Sequence, residues 1–340
     1  NGPVEVIGGS LNTFGGVLGI DPMWIQSGGT LNVREDELNI EGGLINFNEG
    51  SQTLTGGTMN VFGGSTLRFS NLGVKFNAAK IGLYGPGAKF GLFNATDAGD
   101  DGLSDIEGNS GTMEIADGAE LNIETSISNT GTMGLRGGSS FSTVSVISNS
   151  GTMSIRDLGT KIVSDSISNS GGMQLRNNSS GQTNSVGNSG TMLVTSGATL
   201  NVSGSYTQTG GSTTISDGGT LSASDIDIQG GTLGGDGTLN GNIGNSGTMG
   251  PGASPGLLTV NGNYTQTSVG NLDIEVWGLS SELFDRTQIN GNAFLGGTLN
   301  VSFGNGFQPL EGQSWQFMTV SGLISGQFQT LKVSGTSKPM

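Results

Sequence analysis

One short phrase, asparagine-serine-glycine-threonine-methionine or a close variant of it, recurs between residues 109 and 249. Its methionines are Met113, Met133, Met153, Met173, Met192 and Met249. Successive methionines are evenly spaced as far as Met192, and the last step, from Met192 to Met249, is three times as long as the step before it. Self-similarity at a fixed period of about 20 residues is typical of a solenoid, in which each repeat adds one coil.

The length of the repeat indicates which kind of solenoid forms. Helical repeats run past about 30 residues, and leucine-rich repeats need a dense leucine frame that is missing here. About 20 residues suit two or three short strands joined by tight bends. In residues 127–135 the apolar Ile127, Met133 and Leu135 fall on one face, and Gly131 lies where the chain must bend. The sequence therefore predicts an all-β fold, a single-chain parallel β-helix (β-solenoid) with coils of about 20 residues.

Stacked coils would place equivalent residues in vertical files. The methionines predict one file, and Ile127, Ile147 and Ile167 predict a second. A third file is predicted from the asparagines that open each phrase: Asn109, Asn129, Asn149, Asn169, Asn188 and Asn245. Asparagine tolerates left-handed backbone at turns, and stacked amides can pass hydrogen bonds from coil to coil. We therefore interpret the asparagines as a structural ladder and assign no chemistry to them.

Composition excludes several functions. The 65 glycines and only 32% hydrophobic residues resemble a disordered chain, but disorder would not space methionine and isoleucine evenly. A net charge of −15 provides no basic surface, so we expect no nucleic-acid partner. The chain has no cysteine and no histidine, which removes disulfides, thiol catalysis and the commonest general base. No cofactor is required by anything in the sequence.

The sequence also bears on location. It has no run of apolar residues long enough to span a bilayer as a helix, so we expect no membrane insertion. The first residues lack the basic start and apolar run of a signal peptide, which means that a signal was removed or never present. The abundance of glycine, serine, threonine and asparagine favours a processed, secreted protein that is extracellular or on a cell surface.

Changes in pattern predict four segments. Residues 1–85 carry less regular coils, marked by Gly-Gly turns followed by alternating apolar and polar residues. Residues 86–107 form an acidic, glycine-rich loop insertion, and residues 108–249 carry the regular coils. Residues 250–340 contain the last coils and a cap.

Four aspartates of the insertion, Asp97, Asp100, Asp101 and Asp105, crowd around Gly102. Carboxylates in a glycine-turned loop suit calcium, which prefers oxygen ligands. The run resembles the aspartate-rich calcium loops of bacterial surface proteins, although Gly99 occupies one aspartate position and Glu107 comes one residue early. Calcium is thus one prediction for these residues, and a solvated acidic loop is the alternative.

The C-terminal segment carries a family resemblance. It contains Ser-Pro-Gly-Leu-Leu-Thr-Val at 254–260, Tyr-Thr-Gln at 264–266 and Asp-Arg-Thr-Gln-Ile at 285–289. Residues 230–332 resemble the C-terminal part of autotransporter passenger domains and related secreted bacterial β-helix proteins. The resemblance implies a right-handed β-helix displayed outside the cell. Thr287 replaces the family's usual apolar residue, and no barrel-forming translocator follows Met340, so we expect anchoring by another route.

Outward-facing side chains bear on two other functions. A β-helix enzyme acting on polysaccharide needs carboxylates beside the sugar, and the candidates are the pairs Asp225 with Asp227 and Asp273 with Glu275. Outward strand positions are polar in any case, and no second acidic file accompanies them, so we expect a non-enzymatic protein. An ice-binding face would need two adjacent threonine files, whereas the repeats supply one: Thr112, Thr132, Thr152, Thr191 and Thr248.

The remaining functions are structural or adhesive. Of the 20 aromatic residues, nine lie in 1–103 and eight in 271–340. The two ends of a solenoid have unpaired backbone groups that must be capped or mated, and bulky side chains suit either task. We therefore expect a subunit of an extracellular filament whose copies stack end to end. The alternative is a monomeric adhesin whose side faces bind carbohydrate or a protein on a host surface.

Overall fold

The computed structural model describes residues 4–7, 9–14, 18–19, 22–26, 28–35, 37–93, 101–252 and 255–335. The chain divides into two compact units, Asn1–Ser168 and Asn169–Met340. Within the described ranges the structure is almost entirely β, with a single 3-10 turn at Ser281–Leu283. None of the helical structure in these ranges is long and apolar enough to cross a bilayer.

The first unit is built from short strands. They are β1 (Val4–Val6), β2 (Gly9–Phe14), β3 (Leu18–Gly19), β4 (Met23–Ile25), β5 (Gly29–Arg34), β6 (Glu37–Asn39), β7 (Phe47–Asn48), β8 (Thr53–Phe62), β9 (Thr66–Arg68), β10 (Phe76–Tyr84), β11 (Lys89–Gly91), β12 (Gly108–Asn109), β13 (Thr112–Ala116), β14 (Glu120–Ile123), β15 (Ile127–Asn129), β16 (Thr132–Arg136), β17 (Ser140–Thr143), β18 (Val146–Asn149), β19 (Thr152–Arg156) and β20 (Lys161–Val163). Strand β21 (Ser166–Asn169) spans the division between the units.

The second unit is likewise built from short strands. Its strands are β22 (Gly172–Arg176), β23 (Ser180–Thr183), β24 (Ser185–Asn188), β25 (Thr191–Val194), β26 (Thr199–Val202), β27 (Ser205–Gln208), β28 (Ser212–Ile215), β29 (Thr220–Ile228), β30 (Thr232–Gly235), β31 (Thr238–Asn245), β32 (Thr248–Pro251), β33 (Leu257–Asn261), β34 (Tyr264–Gln266), β35 (Asn271–Val276), β36 (Arg286–Ile289), β37 (Ala293–Leu295), β38 (Thr298–Phe303), β39 (Met318–Val320), β40 (Ile324–Gly326) and β41 (Thr330–Ser334).

In the first unit the repeats stack as parallel strands in register. Met133 of β16 is paired with Met113 of β13 on one side and Met153 of β19 on the other. Ile127 of β15 is likewise paired with Ile147 of β18. These side chains are all at most 1% exposed, so the files form a narrow dry core. The predicted parallel β-solenoid, with one repeat of the phrase per coil, is confirmed.

The second unit shows how the long step from Met192 to Met249 is filled. The methionine file runs from Met192 through Thr213 and Leu233 to Met249, so three steps from coil to coil separate the two methionines. The three steps are unequal, and the last of them is the shortest, because bends between strands vary in length. Beyond Met249 the coils lengthen steadily, with Leu272, Leu299 and Leu331 as the next members of the file.

The predicted asparagine ladder forms inside the coils as far as Asn188. Gln208 and Ile228 follow Asn188 in the file, so Asn245 does not join the ladder, and its Nδ2 donates instead to Tyr264 Oη at 3.2 Å and to Asn271 O at 2.8 Å. In the first unit each amide Nδ2 donates to the Oδ1 of the next asparagine, from Asn77 to Asn109 (2.8 Å), Asn129 (2.7 Å) and Asn149 (2.7 Å). The same bond joins Asn169 to Asn188 in the second unit at 2.8 Å. These side chains are at most 1% exposed, and none of these residues has the left-handed backbone expected of a turn asparagine.

A second amide file lies on the outer face of the first unit, at its beginning. Asn60 Nδ2 donates to Asn32 Oδ1, and Asn32 Nδ2 donates to Asn12 Oδ1, both at 2.9 Å. Each of these asparagines follows a leucine or methionine of the inner file and points the opposite way, as strand alternation requires.

The glycine of each phrase is fixed by the contact between coils. A Cβ on Gly131 would lie 2.2 Å from the carbonyl oxygen of Gly111, and one on Gly151 would lie 2.1 Å from that of Gly131. Gly131 and Gly151 both lack the positive φ of the glycines that occupy left-handed turns. The close approach of successive coils, rather than backbone freedom, therefore requires glycine here.

The predicted insertion at 86–107 contains coil structure of its own. Strand β11 pairs in parallel with β9, residue Phe90 opposite Leu67. Strand β12 at Gly108–Asn109 then pairs with the start of β10. Residues 101–107 also belong to the stack, because Gly102 N donates to Phe90 O at 2.7 Å and Val74 N donates to Gly102 O at 2.7 Å, and Leu103 and Ile106 are fully buried.

Candidate functional site

The predicted calcium ligands are only partly within the described residues. Asp97 and Asp100 lie outside them. Asp101 is half-buried, its Oδ1 accepts the backbone N–H of Leu103 at 2.9 Å, and burial raises its pKa to about 6. Asp105 is exposed. Within the described ranges no three acidic, histidine or cysteine side chains are grouped closely enough to hold a metal ion, and calcium stays a prediction.

Asp101 instead borders a polar groove on the outside of the first unit. Two adjoining hollows, of about 510 and 470 Å³, share Asp101, Glu120 and Asn122. Lys89 lines one of them and Glu124 the other. The groove is lined by more acidic than basic side chains and by hydroxyl groups, which suits polar solutes.

The two carboxylate pairs considered for polysaccharide chemistry lie on strands, as predicted. Asp225 and Asp227 of β29 are paired with Asn242 and Gly244 of the next coil, so no acidic residue extends either file in that direction. In the other pair, Asp273 Oδ1 accepts the amide Nδ2 of Asn300 at 2.5 Å. In the next coil each carboxylate therefore has a neutral residue beside it, Asn242 and Gly244 for the first pair and Asn300 and Ser302 for the second.

A buried carboxylate that sequence reasoning missed is Asp285. Its side chain is 2% exposed; Oδ1 accepts the backbone N–H of Gly256 at 3.0 Å and Oδ2 accepts that of Glu275 at 2.8 Å. It therefore ties β36 to β35 and to the loop that ends at Gly256. Asp285 begins one of the quoted autotransporter-like motifs, so the sequence did draw attention to this residue. Nothing in the motif distinguishes a buried aspartate from one that points outward.

Burial raises the pKa of Asp285 to about 6, against the opposing effect of the two backbone donors, and the nearby Glu275 charge raises it further. A carboxyl whose pKa is higher in the folded than in the unfolded state stabilises the fold most when protonated, below about pH 4. That contribution is lost as pH rises through about 6. In urea denaturation followed by tryptophan fluorescence, we expect acidification from pH 7 to pH 5 to raise the wild-type midpoint.

In Asp285→Asn this rise should be smaller, because the titrating group is gone. Asp225→Asn is the matched control, since its carboxylate is exposed on β29, and it should keep the wild-type pH dependence. An identical pH profile for wild type and Asp285→Asn would contradict the assignment.

An exposed aromatic residue forms part of a small hollow on the first unit. Phe76 is 42% exposed, and its ring leans over Gly108, where a Cβ would approach the ring to 2.9 Å. The hollow measures about 230 Å³ and is also lined by Glu107, Ser110, Ser128 and Thr130. An apolar ring surrounded by hydroxyl groups is a surface on which a sugar ring can stack and form hydrogen bonds.

The most distinctive surface is the coil formed by β39, β40 and β41. These strands pair in parallel with β36, β37 and β38, which places Leu331 in file with Leu299 and Val333 in file with Val301. The inner positions of this coil are nevertheless open: Leu331 is 63% and Val333 38% exposed, whereas Leu299 is 8% exposed. Ile324, in file with the buried Ala293, is 60% exposed. We call this coil the open coil.

Three aromatic residues of the C-terminal segment pack together before the open coil begins. Phe303, Phe307 and Trp315 pack together with ring centroids 5.4 to 6.1 Å apart, in and beside the loop between β38 and β39. Trp315 Nε1 donates to the carbonyl oxygen of Gly278 at 2.8 Å, which fixes this loop against the end of β35. The exposed inner positions of β40 and β41 are aliphatic: Ile324, Leu331 and Val333.

In comparisons with known proteins, no family model and no curated protein sequence matches this chain.

Proposed function

We propose that the protein is a non-enzymatic structural subunit of an extracellular filament, in which copies join end to end through their terminal coils. The open coil is the observation that carries the proposal. Its strands have a partner along one edge, and its aliphatic side chains continue files that are buried in the preceding coils: Met249 and Leu272 are 0% exposed and Leu299 is 8% exposed.

An open coil favours assembly for two reasons. The unpaired N–H and C=O groups of an edge strand accept any further strand of suitable register. Burial of a leucine or isoleucine side chain stabilises a contact by about 1.5 to 3 kcal/mol. Another coil of the same architecture satisfies both requirements at once.

A structural role also agrees with the side faces. Their asparagines, such as Asn261, which donates to Asn240 Oδ1 at 2.8 Å, bind the neighbouring coil. The absence of histidine and cysteine from the whole sequence leaves few groups for catalysis. The glycine-, serine- and threonine-rich composition and the resemblance to passenger domains support secretion and display outside the cell.

Leu331→Asp tests the assembly. We expect the wild-type protein to form elongated particles in negative-stain images and to show a concentration-dependent mass in light scattering. A buried aspartate would be strongly unfavourable in the contact, so the variant should stay monomeric. Its thermal unfolding should match the wild type, because Leu331 is already exposed in the single molecule.

Val144→Asp is the matched control. Val144 is 80% exposed on the first unit, outside the open coil, and this variant should assemble like the wild type. The proposal fails if the wild-type protein is monomeric at high concentration, or if Leu331→Asp assembles normally.

The second candidate is a monomeric adhesin that binds carbohydrate, and the hollow beside Phe76 favours it. A glycan that binds the wild-type monomer but not Phe76→Ala would support this function over the filament.

A further inference from the structure

Asparagine followed directly by glycine occurs five times in the sequence, at Asn1, Asn240, Asn261, Asn290 and Asn305. Asn1 lies outside the described residues. In such a pair the backbone nitrogen of the glycine can attack the carbonyl carbon of the asparagine side chain, because glycine carries no side chain that would shield its nitrogen. The structure places the other four pairs in two contrasting environments.

Three of these asparagines form an outer amide ladder in the second unit, at equivalent positions of successive coils. Asn290 Nδ2 donates to Asn261 Oδ1 and Asn261 Nδ2 donates to Asn240 Oδ1, both at 2.8 Å. Asn240 Nδ2 donates to Ser222 Oγ at 2.9 Å, and Asn290 Oδ1 accepts from Gln288 Nε2 at 3.1 Å. In each of the three side chains, both the nitrogen and the oxygen are therefore engaged in hydrogen bonds.

The glycines that follow these three asparagines are packed against the preceding coil. A Cβ added to Gly241, Gly262 or Gly291 would lie 2.0, 2.1 or 2.3 Å, respectively, from a backbone carbonyl oxygen of that coil. The main chain at these pairs therefore cannot rotate to bring its nitrogen toward the side chain without separating two coils. Both the ladder and this packing oppose the rotations that the attack requires.

Asn305 lies in a different environment, an exposed turn between β38 and β39. Its φ is 51° and that of Gly306 is 73°, and a hydrogen bond from Phe307 N to Gly304 O at 2.9 Å closes the turn. Within the described ranges, neither the side-chain amide of Asn305 nor the N–H of Gly306 has a hydrogen-bond partner. A Cβ on Gly306 would meet nothing within 4 Å, so no other coil packs against the main chain here.

We propose that Asn305 is a site of spontaneous deamidation, and that the outer amide ladder protects Asn240, Asn261 and Asn290 from the same reaction. In the first step Gly306 N forms a bond to Cγ of Asn305, and Nδ2 leaves as ammonia together with the proton that the Gly306 nitrogen loses. Water then opens the resulting cyclic imide at either of its carbonyl carbons, which gives aspartate or isoaspartate. The reaction requires water alone, and the inference does not depend on the filament.

The reaction would change the loop that precedes the open coil. Both products carry a negative charge, and isoaspartate also inserts a methylene group into the main chain. The insertion falls between Phe303 and Phe307, whose ring centroids lie 6.1 Å apart, and would widen the turn that separates them. Deamidation therefore acts on the aromatic packing of this loop.

Mass spectrometry of peptides from folded protein kept at mildly alkaline pH measures the four rates separately. We expect Asn305 to convert at least about ten times faster than any ladder asparagine, because two hydrogen bonds must break before a ladder side chain can react. In concentrated urea the coils are lost, and the four pairs should convert at similar rates because glycine follows each asparagine. Separation of isoaspartyl from aspartyl peptides identifies the route through the imide.

Asn305→Gln should abolish the fast conversion, because glutamine would have to form a larger ring that closes slowly. Asn122→Gln is the matched control, since Asn122 is also exposed but isoleucine follows it, and it should keep the wild-type rates. The proposal is overturned if Asn305 converts no faster than the ladder asparagines in the folded protein. It is also overturned if folded and urea-treated protein show the same ratio of rates, or if aspartate forms without isoaspartate.

Discussion

Replacing Gly151 by alanine is expected to lower the free energy of unfolding by about 3 kcal/mol or more. The added Cβ would lie 2.1 Å from the carbonyl oxygen of Gly131 and 2.6 Å from the carbonyl carbon of Thr130. Both contacts are backbone atoms of the neighbouring coil, so no side chain can move aside to relieve them. The coils must separate, which weakens the bonds from Gly151 N to Asn129 O (3.0 Å) and from Thr152 N to Gly131 O (2.8 Å).

Gly134→Ala is the matched control, because Gly134 lies in the adjacent coil and a Cβ there meets nothing within 4 Å. It should leave stability unchanged or raise it slightly, since alanine has less conformational freedom in the unfolded chain. Urea denaturation followed by circular dichroism measures both variants. Equal midpoints for Gly151→Ala and Gly134→Ala would contradict the close approach of the coils.

Replacing Asn129 by alanine is expected to cost on the order of 3 kcal/mol. Its amide is completely buried and has partners in both neighbouring coils. It accepts from Asn109 Nδ2 at 2.7 Å and donates to Asn149 Oδ1 at 2.7 Å and to the Thr152 carbonyl oxygen at 3.1 Å. Alanine removes these bonds together and leaves a cavity where water cannot easily replace them.

Asn122→Ala provides the comparison in the same unit. Asn122 is exposed, and its Oδ1 accepts one hydrogen bond, from the hydroxyl of Ser142. Water can replace that partner, so we expect a change within about 0.5 kcal/mol. If the two asparagine variants unfold at the same urea concentration, the inner ladder has no special role in stability.

Much of the regular stack could be predicted from the sequence because each repeat presents the same residue to the same file. Even spacing of Met113, Met133 and Met153 is sufficient to pair them, since a shift by one residue would expose every apolar side chain. The glycine at 131 was also placed correctly at a bend. Its physical reason, the contact with the Gly111 carbonyl, depends on the distance between coils and is not visible in one repeat.

The lengths of the individual coils could not be predicted, because a bend between two strands can gain residues without changing which residues pair from coil to coil. The coil from Leu299 to Leu331 is longer than the two coils before it in the file, and the excess forms the loop that Trp315 fixes at Gly278. The sequence also left open whether the asparagine side chains lie inside or outside the coils, since Asn-Ser-Gly fits an outer turn as well as an inner corner. Asp285 was overlooked for the same reason: the sequence does not reveal that its carboxylate turns inward to two backbone amides.

The two asparagine files of the first unit have opposite polarity. In the inner file each amide donates toward the higher-numbered coil, and in the outer file Asn60 and Asn32 donate toward the lower-numbered one. Either file alone would add its dipoles head to tail, as peptide groups do in a helix, and would leave opposite partial charges at its two ends. Because the two files lie in successive coils and donate in opposite directions, their carbonyl ends meet near Asn60 and Asn77, and no single dipole of side-chain amides runs the length of the unit.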